Sequence, residues 1–439
     1  MAMGMTSPDP TSLPPAAERS PFAARPDVPD FGRSLPAIAD RFAAGTALAV
    51  MLFDLTVLER IERSRGHAAR LEAEVNFANL LRQVAGERLA DCDLVVSGEA
   101  GRNEVMVILF RQHRDARFYR QEIPGFEQVV ARKLEREGAK IFYPYVKRVP
   151  DIHMGYAVAL RNPKLGADTQ LRRVVDEARR DARLNAQLME RKLRRRFHEM
   201  LLDKRIHSVY EPIVEVSTHV VYAYEALARG PEGSDLHAPI AMFTEAERQD
   251  MVYELDCLCR ASGLDGAIGF PEGSKLFLNV LPSAIHDPNF REERLIATLE
   301  ECRLSPQDVV FEVSEQQSIR DFEAFREMRD YYRKLGFSFA LDDTGSGYAG
   351  LEALLEISPE YIKVDRAFVS GCDTDPLRQD MLRALLTVAE KTGAKIIGEG
   401  LDTLEELEML KQLGIHYGQG WLFGHPHPLR ARNDDARRD

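Results

Sequence analysis

No stretch of this sequence approaches the roughly 18 consecutive apolar residues that a membrane-crossing helix needs. The best run, Ala47 to Phe53, stops at Asp54 and reads as a buried strand. Positive charge is also short: 58 Lys and Arg face 70 Asp and Glu, a net charge of −12. That balance argues against a protein that coats a nucleic-acid polymer through a general positive field. Cysteine is sparse and odd in number, at 92, 257, 259, 302 and 372. The one close pair, Cys257 and Cys259, lacks a second pair at zinc-site spacing, so the five read as buried, reduced thiols. The N-terminus has no basic start followed by an apolar core, so the expectation is a cytoplasmic protein without a secretion signal. Tryptophan occurs once, at 421. It and the pair Tyr331 and Tyr332 are assigned to the core or a helix surface.

What is present is the composition of a folded protein: 439 residues, 44% hydrophobic and 29% charged, enough for two or three domains. Residues 1–36 hold eight of the 23 prolines without apolar periodicity and read as a disordered arm. Residues 37–166 alternate strand-like runs (TALAVMLF, EVMVILF, MGYAVAL) with helical stretches such as Arg70 to Leu89, an α+β or α/β domain. Residues 167–204 form one long helical pattern without an internal glycine or proline, read as a connector. Its basic run at Arg194 to Arg196 is expected to be solvated.

From 205 to 429 the rhythm becomes strand, loop, helix, repeated, ahead of a charged tail at 430–439. Strand candidates are Val220 to Leu227, Lys275 to Val280, Val309 to Val313, Ser338 to Leu341, Tyr361 to Val364 and Lys395 to Ile397, with helices such as Asp321 to Leu335 and Arg378 to Lys391 between them. Repeating βα units over this length fit a (β/α)₈ barrel or a doubly wound sheet.

Nearly every strand candidate ends in a residue that a core would reject: Glu225, Asn279, Glu312, Asp342 with Asp343, Lys363, Glu399 and Gln419. One such acid is ordinarily a cap or a salt-bridge partner, but a series at strand ends shares one address, the mouth where barrel strands converge. Five carboxylates with two amides are hard oxygen donors that call for a counter-charge, and Mg²⁺ or Mn²⁺ suits a set without thiolate or imidazole. The adjacent Asp342 and Asp343 suggest two ions, which about 4 Å apart clamp the oxygens of an in-line phosphoryl displacement. Lys363 would neutralise charge on the phosphate, Glu399 would act as base or ligand, and Arg229 offers a fork to a phosphate oxygen.

The motifs YEPIVEV, YEALAR, LNVLPSAI, FEVSEQ, LDDTGSGYAGLEALLEISPEYIKVDRAFV and IGEGLDTLEELEMLKQLGIHYGQGWLFGHP, from about Val209 to Pro426, resemble the EAL domain phosphodiesterases that hydrolyse cyclic di-GMP. The resemblance implies a modified (β/α)₈ barrel whose first strand runs against the others. It implies that Glu225, Asn279, Glu312, Asp342, Asp343 and Glu399 bind two metal ions, and that Arg229, Gln419 and Leu227 meet the substrate. Lys363 resembles the family's site lysine, and Glu315 the glutamate that steadies the loop after Asp343. Three positions depart from the family pattern: Thr344 for a phenylalanine, Glu211 for a glutamine and Asp402 for a glutamate.

The first domain resembles a GGDEF domain more weakly. FDLTVLERIERSRGH lines up with that family's DIDxFKxxNDxxGH, so Asp54 matches a metal-binding aspartate, and Glu104 falls in the degenerate signature Gly101-Arg102-Asn103-Glu104-Val105. Arg102 stands at a glycine that must let backbone approach triphosphate, so cyclase activity is expected to be lost and a regulatory role to remain. The leading expectation is a phosphodiesterase opening cyclic di-GMP to linear pGpG, as a homodimer or with a regulatory protein partner. The alternatives are a receptor that holds the ligand without cutting it and an interaction scaffold that binds no nucleotide.

Overall fold

In a computed structural model of the chain, the described residues are 28–44, 47–88, 93–99, 101–112, 117–145, 152–314, 322–344, 354 and 356–429. They form two compact units divided after Arg191.

The first unit is built on a sheet of β1 (Ala47–Asp54), β2 (Leu94–Ser97), β3 (Glu104–Arg111) and β4 (His153–Leu160), in the order β2-β3-β1-β4. Every pairing is antiparallel, which settles the α+β alternative. β1 is central and apolar throughout because both its faces are covered. Ala49, Met51 and Phe53 face a core with α2 (Val57–Arg65), α3 (His67–Arg88) and α4 (Ile123–Ile141); Leu48, Val50 and Leu52 face one with α1 (Phe31–Ala44).

Helix α1 corrects the assignment of residues 1–36 to a disordered arm. Phe31, Leu35, Ile38, Ala39 and Phe42 recur at helical spacing and are buried, and that stripe outweighs the backbone bond lost at Pro36. Residues 1–27 lie outside the described part.

The connector is a continuous helix, α5 (Ala167–Leu202). Its first half belongs to the core of the first unit through Leu171, Val174, Val175, Ala178 and Ala182. At Gly155 of β4 an added Cβ would meet Ala182 N at 2.0 Å, so only glycine allows the helix this close. Its last turns pack in the second unit through Phe197, Met200 and Leu201, while Arg194 to Arg196 are exposed, as expected.

The second unit is a closed eight-stranded barrel of β5 (His207–Glu215), β6 (Val221–Arg229), β7 (Lys275–Asn279), β8 (Val309–Ser314), β9 (Ser338–Thr344), β10 (Tyr361–Val364), β11 (Lys395–Gly398) and β12 (Tyr417–Gln419). All neighbours are parallel except at β5, which runs antiparallel to both β6 and β12. A barrel with a reversed first strand is therefore observed, and a doubly wound sheet is excluded. The helices wrap the outside, over a core that runs from Tyr210 to Ile415. Cys302 and Cys372 are buried and Cys257 and Cys259 half-buried, all four as free thiols; Cys92 lies outside the described residues. Among the described residues, no helix is long and apolar enough to cross a membrane.

Candidate functional site

The barrel interior is filled by one layer of apolar side chains, one from each strand: Ile213, Ala223, Phe277, Val310, Ala340, Tyr361, Ile397 and Tyr417. Side chains two residues apart on a strand share a face, so the next rung toward the mouth is fixed by the register. On the seven parallel strands it comprises Glu225, Asn279, Glu312, Asp342, Lys363, Glu399 and Gln419, and on the reversed β5 it is Glu211. The sequence-predicted residues are thus one ring, lying on the apolar layer as a floor. Glu211 is its eighth member, which the sequence reveals only as a departure from a family pattern.

Lys363 Nζ lies among four carboxylates: Glu399 Oε1 at 2.8 Å, Glu312 Oε1 at 2.9 Å, Glu225 Oε2 at 3.0 Å and Asp342 Oδ1 at 3.6 Å. The two amides complete the ring. Asn279 Nδ2 donates to Glu312 Oε2 (3.0 Å) and Glu225 Oε1 (3.2 Å), and Gln419 Nε2 donates to Glu225 Oε2 (2.6 Å) and Glu211 Oε2 (2.9 Å). Because both neighbours of each amide nitrogen are acceptors, the orientation of both amides is chemically forced. Gln419 Oε1 is left buried without a hydrogen-bond partner, as are Glu312 Oε1 and Asp342 Oδ1, which have only their ion pairs with Lys363.

Five carboxyl groups share one ammonium, and their protonation reflects it. Burial, aided by Glu225, pushes the Glu312 carboxyl well above its ordinary value. Burial raises Glu399 to about 8 although Lys363 pulls the other way. Burial also raises Glu211. For Glu225 burial acts in the same sense, but Lys363 and the Gln419 amide outweigh it and hold the carboxyl below its ordinary value. The four surrounding acids raise the Lys363 ammonium well above its own ordinary value, against the effect of its burial.

The donor chemistry fits a divalent cation: carboxylates and amide oxygens, no sulfur or imidazole, an excess of negative charge, and three buried oxygens without a hydrogen-bond partner. Among the described residues no three acids, histidines or cysteines already stand around a common point as a ready-made metal cage. Lys363 Nζ takes the position that these carboxylates share.

Leu227 and Arg229 lie two and four residues beyond Glu225 on the same face of β6, both half-buried. Arg229 donates from Nη1 to Ala228 O and is within electrostatic reach of Glu211 and Glu225. The Asp343 side chain and Glu315 lie outside the described residues, as do the Thr344 side chain and residues 345–353. A cleft of about 250 Å³ opens above the ring, with Glu211, Glu225, Glu399 and Gln419 on one side and Arg366 and Trp421 on the other. Trp421 corrects the expectation of a core or helix-surface residue: it sits in the turn after β12 and is 59% exposed. Its sequence signal was its place two residues after a ring position.

In the first unit, Asp54 and Glu104 are register partners across β1 and β3. Asp54 Oδ1 accepts from the backbone N–H (3.1 Å) and hydroxyl (2.7 Å) of Thr56 at the start of α2. Glu104 is buried, and both its oxygens accept from Arg179 of α5, at 2.7 Å and 3.0 Å. A larger cleft of about 730 Å³ lies beside Asp54, Arg60, Arg63 and His153. The cluster of buried acids nonetheless lies at the smaller one, while Asp54 is committed to its turn and Glu104 to α5.

The fold is a (β/α)₈-type barrel whose acid-rich ring lies at the strand ends, where such barrels carry their functional sites. The EAL domain family matches residues 192–426, just over half of the chain, and the chain belongs to that family. It is 31% identical over 223 residues to the probable cyclic di-GMP phosphodiesterase PdeG of Escherichia coli K12, covering 49% of this chain and 44% of that protein. It is 25% identical over 412 residues to the cyclic di-GMP phosphodiesterase NbdA of Pseudomonas aeruginosa, covering 90% of this chain and 50% of that protein. The chain thus spans half or less of the length of these curated relatives. Among solved structures, the FimX EAL domain of Xanthomonas citri in complex with c-di-GMP superposes with a TM-score of 0.50 at 17% identity, covering 56% of this chain and 98% of that one. The EAL enzyme Bd1971 in its cAMP-bound form gives 0.50 at 22% identity, covering 64% and 80%. These likenesses bear on the fold alone.

Proposed function

We propose that the barrel is a metal-dependent phosphodiesterase that hydrolyses cyclic di-GMP to linear pGpG. The observation that carries this reading is the ring itself, in which four carboxyl groups surround one lysine on an apolar floor. Glu225, Asn279, Glu312, Asp342, Asp343 and Glu399 would hold two Mg²⁺ or Mn²⁺ ions. When bound, such cations neutralise the phosphodiester and lower the pKa of water. Hydrolysis would join the oxygen of a water to phosphorus and break the bond from phosphorus to the 3′-oxygen, the proton taken from the water being balanced by one delivered from solvent to the leaving 3′-oxygen.

Glu399 would act as a ligand or, once a bound cation displaces its proton, as the base that takes a proton from the water. Lys363 sets its ammonium against the charge that grows on the phosphate. Arg229 offers its guanidinium to a phosphate oxygen and Leu227 an apolar contact beside it. Gln419, fixed with its carbonyl oxygen free, accepts from an N–H or O–H of the ligand. Glu315 steadies the loop after Asp343.

The first unit is inferred to be a GGDEF-like module without cyclase activity that regulates the barrel, in a homodimer or through a protein partner. The Arg179 clamp on Glu104 supports that reading, since it withdraws the one buried acid of the signature from metal binding.

Purified full-length chain incubated with cyclic di-GMP and Mg²⁺ or Mn²⁺ should yield linear dinucleotide by chromatography, and a chelator should stop the reaction. Binding without product under both metals would replace this reading with that of a receptor.

A further inference from the structure

The chain's one tryptophan lies with 59% of its surface exposed at the lip of the cleft above the ring. Exposed apolar side chains are ordinary when scattered singly, as with Leu377 and Leu404. Trp421 differs in its surroundings. The Arg366 guanidinium carbon lies 6.0 Å from its ring centroid, and the His425 ring is 5.0 Å away. Arg366 is held in turn by an ion pair with Asp402. Its aliphatic stem lies over Gly400, where an added Cβ would meet Arg366 Cγ at 2.4 Å. The indole is therefore oriented by its neighbours without being covered by them.

An indole left in water beside a cleft forgoes a large burial free energy, and a flat π-face is best covered by another flat group. Nucleobases are such groups, and their stacking on aromatic side chains is worth about 1–3 kcal/mol per base. The polar ring below offers no comparable apolar surface; its floor is sealed by the side chains of the apolar layer. The adjacent guanidinium, paired with Asp402, lies beside the indole at a lip otherwise lined by carboxylates, and adds a cation that an electron-rich ring seated on the indole would meet.

We propose that Trp421 is the stacking platform for one purine base of the ligand, with Arg366 as the residue that positions its ring. The inference rests on the cyclic di-GMP reading of the barrel. A single tryptophan makes it directly observable, since all indole emission of the chain arises from this position.

The test titrates the full chain with cyclic di-GMP in the presence of a chelator, following tryptophan emission. Equilibrium dialysis and the metal-dependent hydrolysis assay run in parallel. Emission should change saturably, with the same midpoint as dialysis. Trp421→Ala should raise KM about tenfold or more while lowering kcat much less, and Trp421→Phe should recover most of the loss, because the phenyl ring retains a face for stacking. A merely structural role would lower thermal stability without this split between KM and kcat. Unchanged emission despite binding by dialysis, or an unchanged KM in Trp421→Ala, would overturn the stacking role and leave the phosphodiesterase reading standing. Absence of both binding and hydrolysis in the wild-type chain would overturn that reading, and this one with it.

Discussion

Glu104 in the first unit and Glu225 in the barrel are both acids on strands, both buried, and both paired with a cation from another element. Their surroundings differ in arithmetic. Glu104 is held at two points by a guanidinium that it shares only with the exposed Asp176. Glu225 shares one ammonium with Glu312, Asp342 and Glu399, and two amides make up part of the deficit. A buried acid with its own cation is a structural joint. A group of acids that outnumber their cation holds protons or takes up metal, and either state leaves it reactive.

The largest expected effect comes from breaking the barrel side of this contrast. Glu225→Ala should lower hydrolysis of cyclic di-GMP by at least about a hundredfold with the thermal unfolding midpoint little changed, because it removes a mouth ligand rather than floor packing. Hydrolysis at the native rate would refute the metal assignment.

Breaking the other side should act on stability instead. Arg179→Met leaves Glu104 buried and unpaired, which costs about 3–5 kcal/mol in denaturant unfolding, and adding Glu104→Gln should restore much of it. Glu104→Gln alone should leave the rate of the barrel within about twofold.

The third expectation is a pH slope. Folding holds a proton on Glu399 up to about pH 8, whereas the unfolded carboxyl loses it near its ordinary value. The contribution of this group to stability is therefore complete below about pH 4 and is lost as pH rises through about 8. Burial raises Glu211 and Glu312 in the same sense. Thermal midpoints measured in chelator should fall between pH 6 and pH 9, and Mg²⁺ or Mn²⁺ should flatten that fall by replacing protons. The smallest effect is expected from Glu211→Gln. It removes a negative charge close to an anionic substrate while keeping an acceptor for the Gln419 amide, so KM should fall modestly at an unchanged kcat.

Much of the barrel was legible because its strands carry a regular conflict: an apolar run closed by a polar residue. Tyr361 to Val364 matches its observed strand residue for residue. The seven strand-end ring assignments all fell on parallel strands, where the site position follows the buried one. On the reversed β5 it precedes the buried one, so reading forward along the chain finds no strand-end signal at Glu211. Pro212, inside that strand, further masked it. Helix α1 was hidden by proline content, since composition averaged over 36 residues conceals a stripe that begins at Phe31. Glu104 could not be assigned from sequence, because its partner Arg179 lies 75 residues away on another element.

The reversed strand also decides where the polypeptide enters the barrel. In a barrel of uniformly parallel strands the first begins beneath the floor, on the side away from the chemistry. Here β5 begins at His207, paired with Arg229, on the open side of the ring, and descends past Glu211 to the floor at Ile213. The chain leaving the long helix at Leu202 therefore arrives at the working end, and residues 203–210 are all that separate the helix from Glu211. Along the chain, the end of that helix leads to the carboxylate that accepts from Gln419 before the strand reaches the floor.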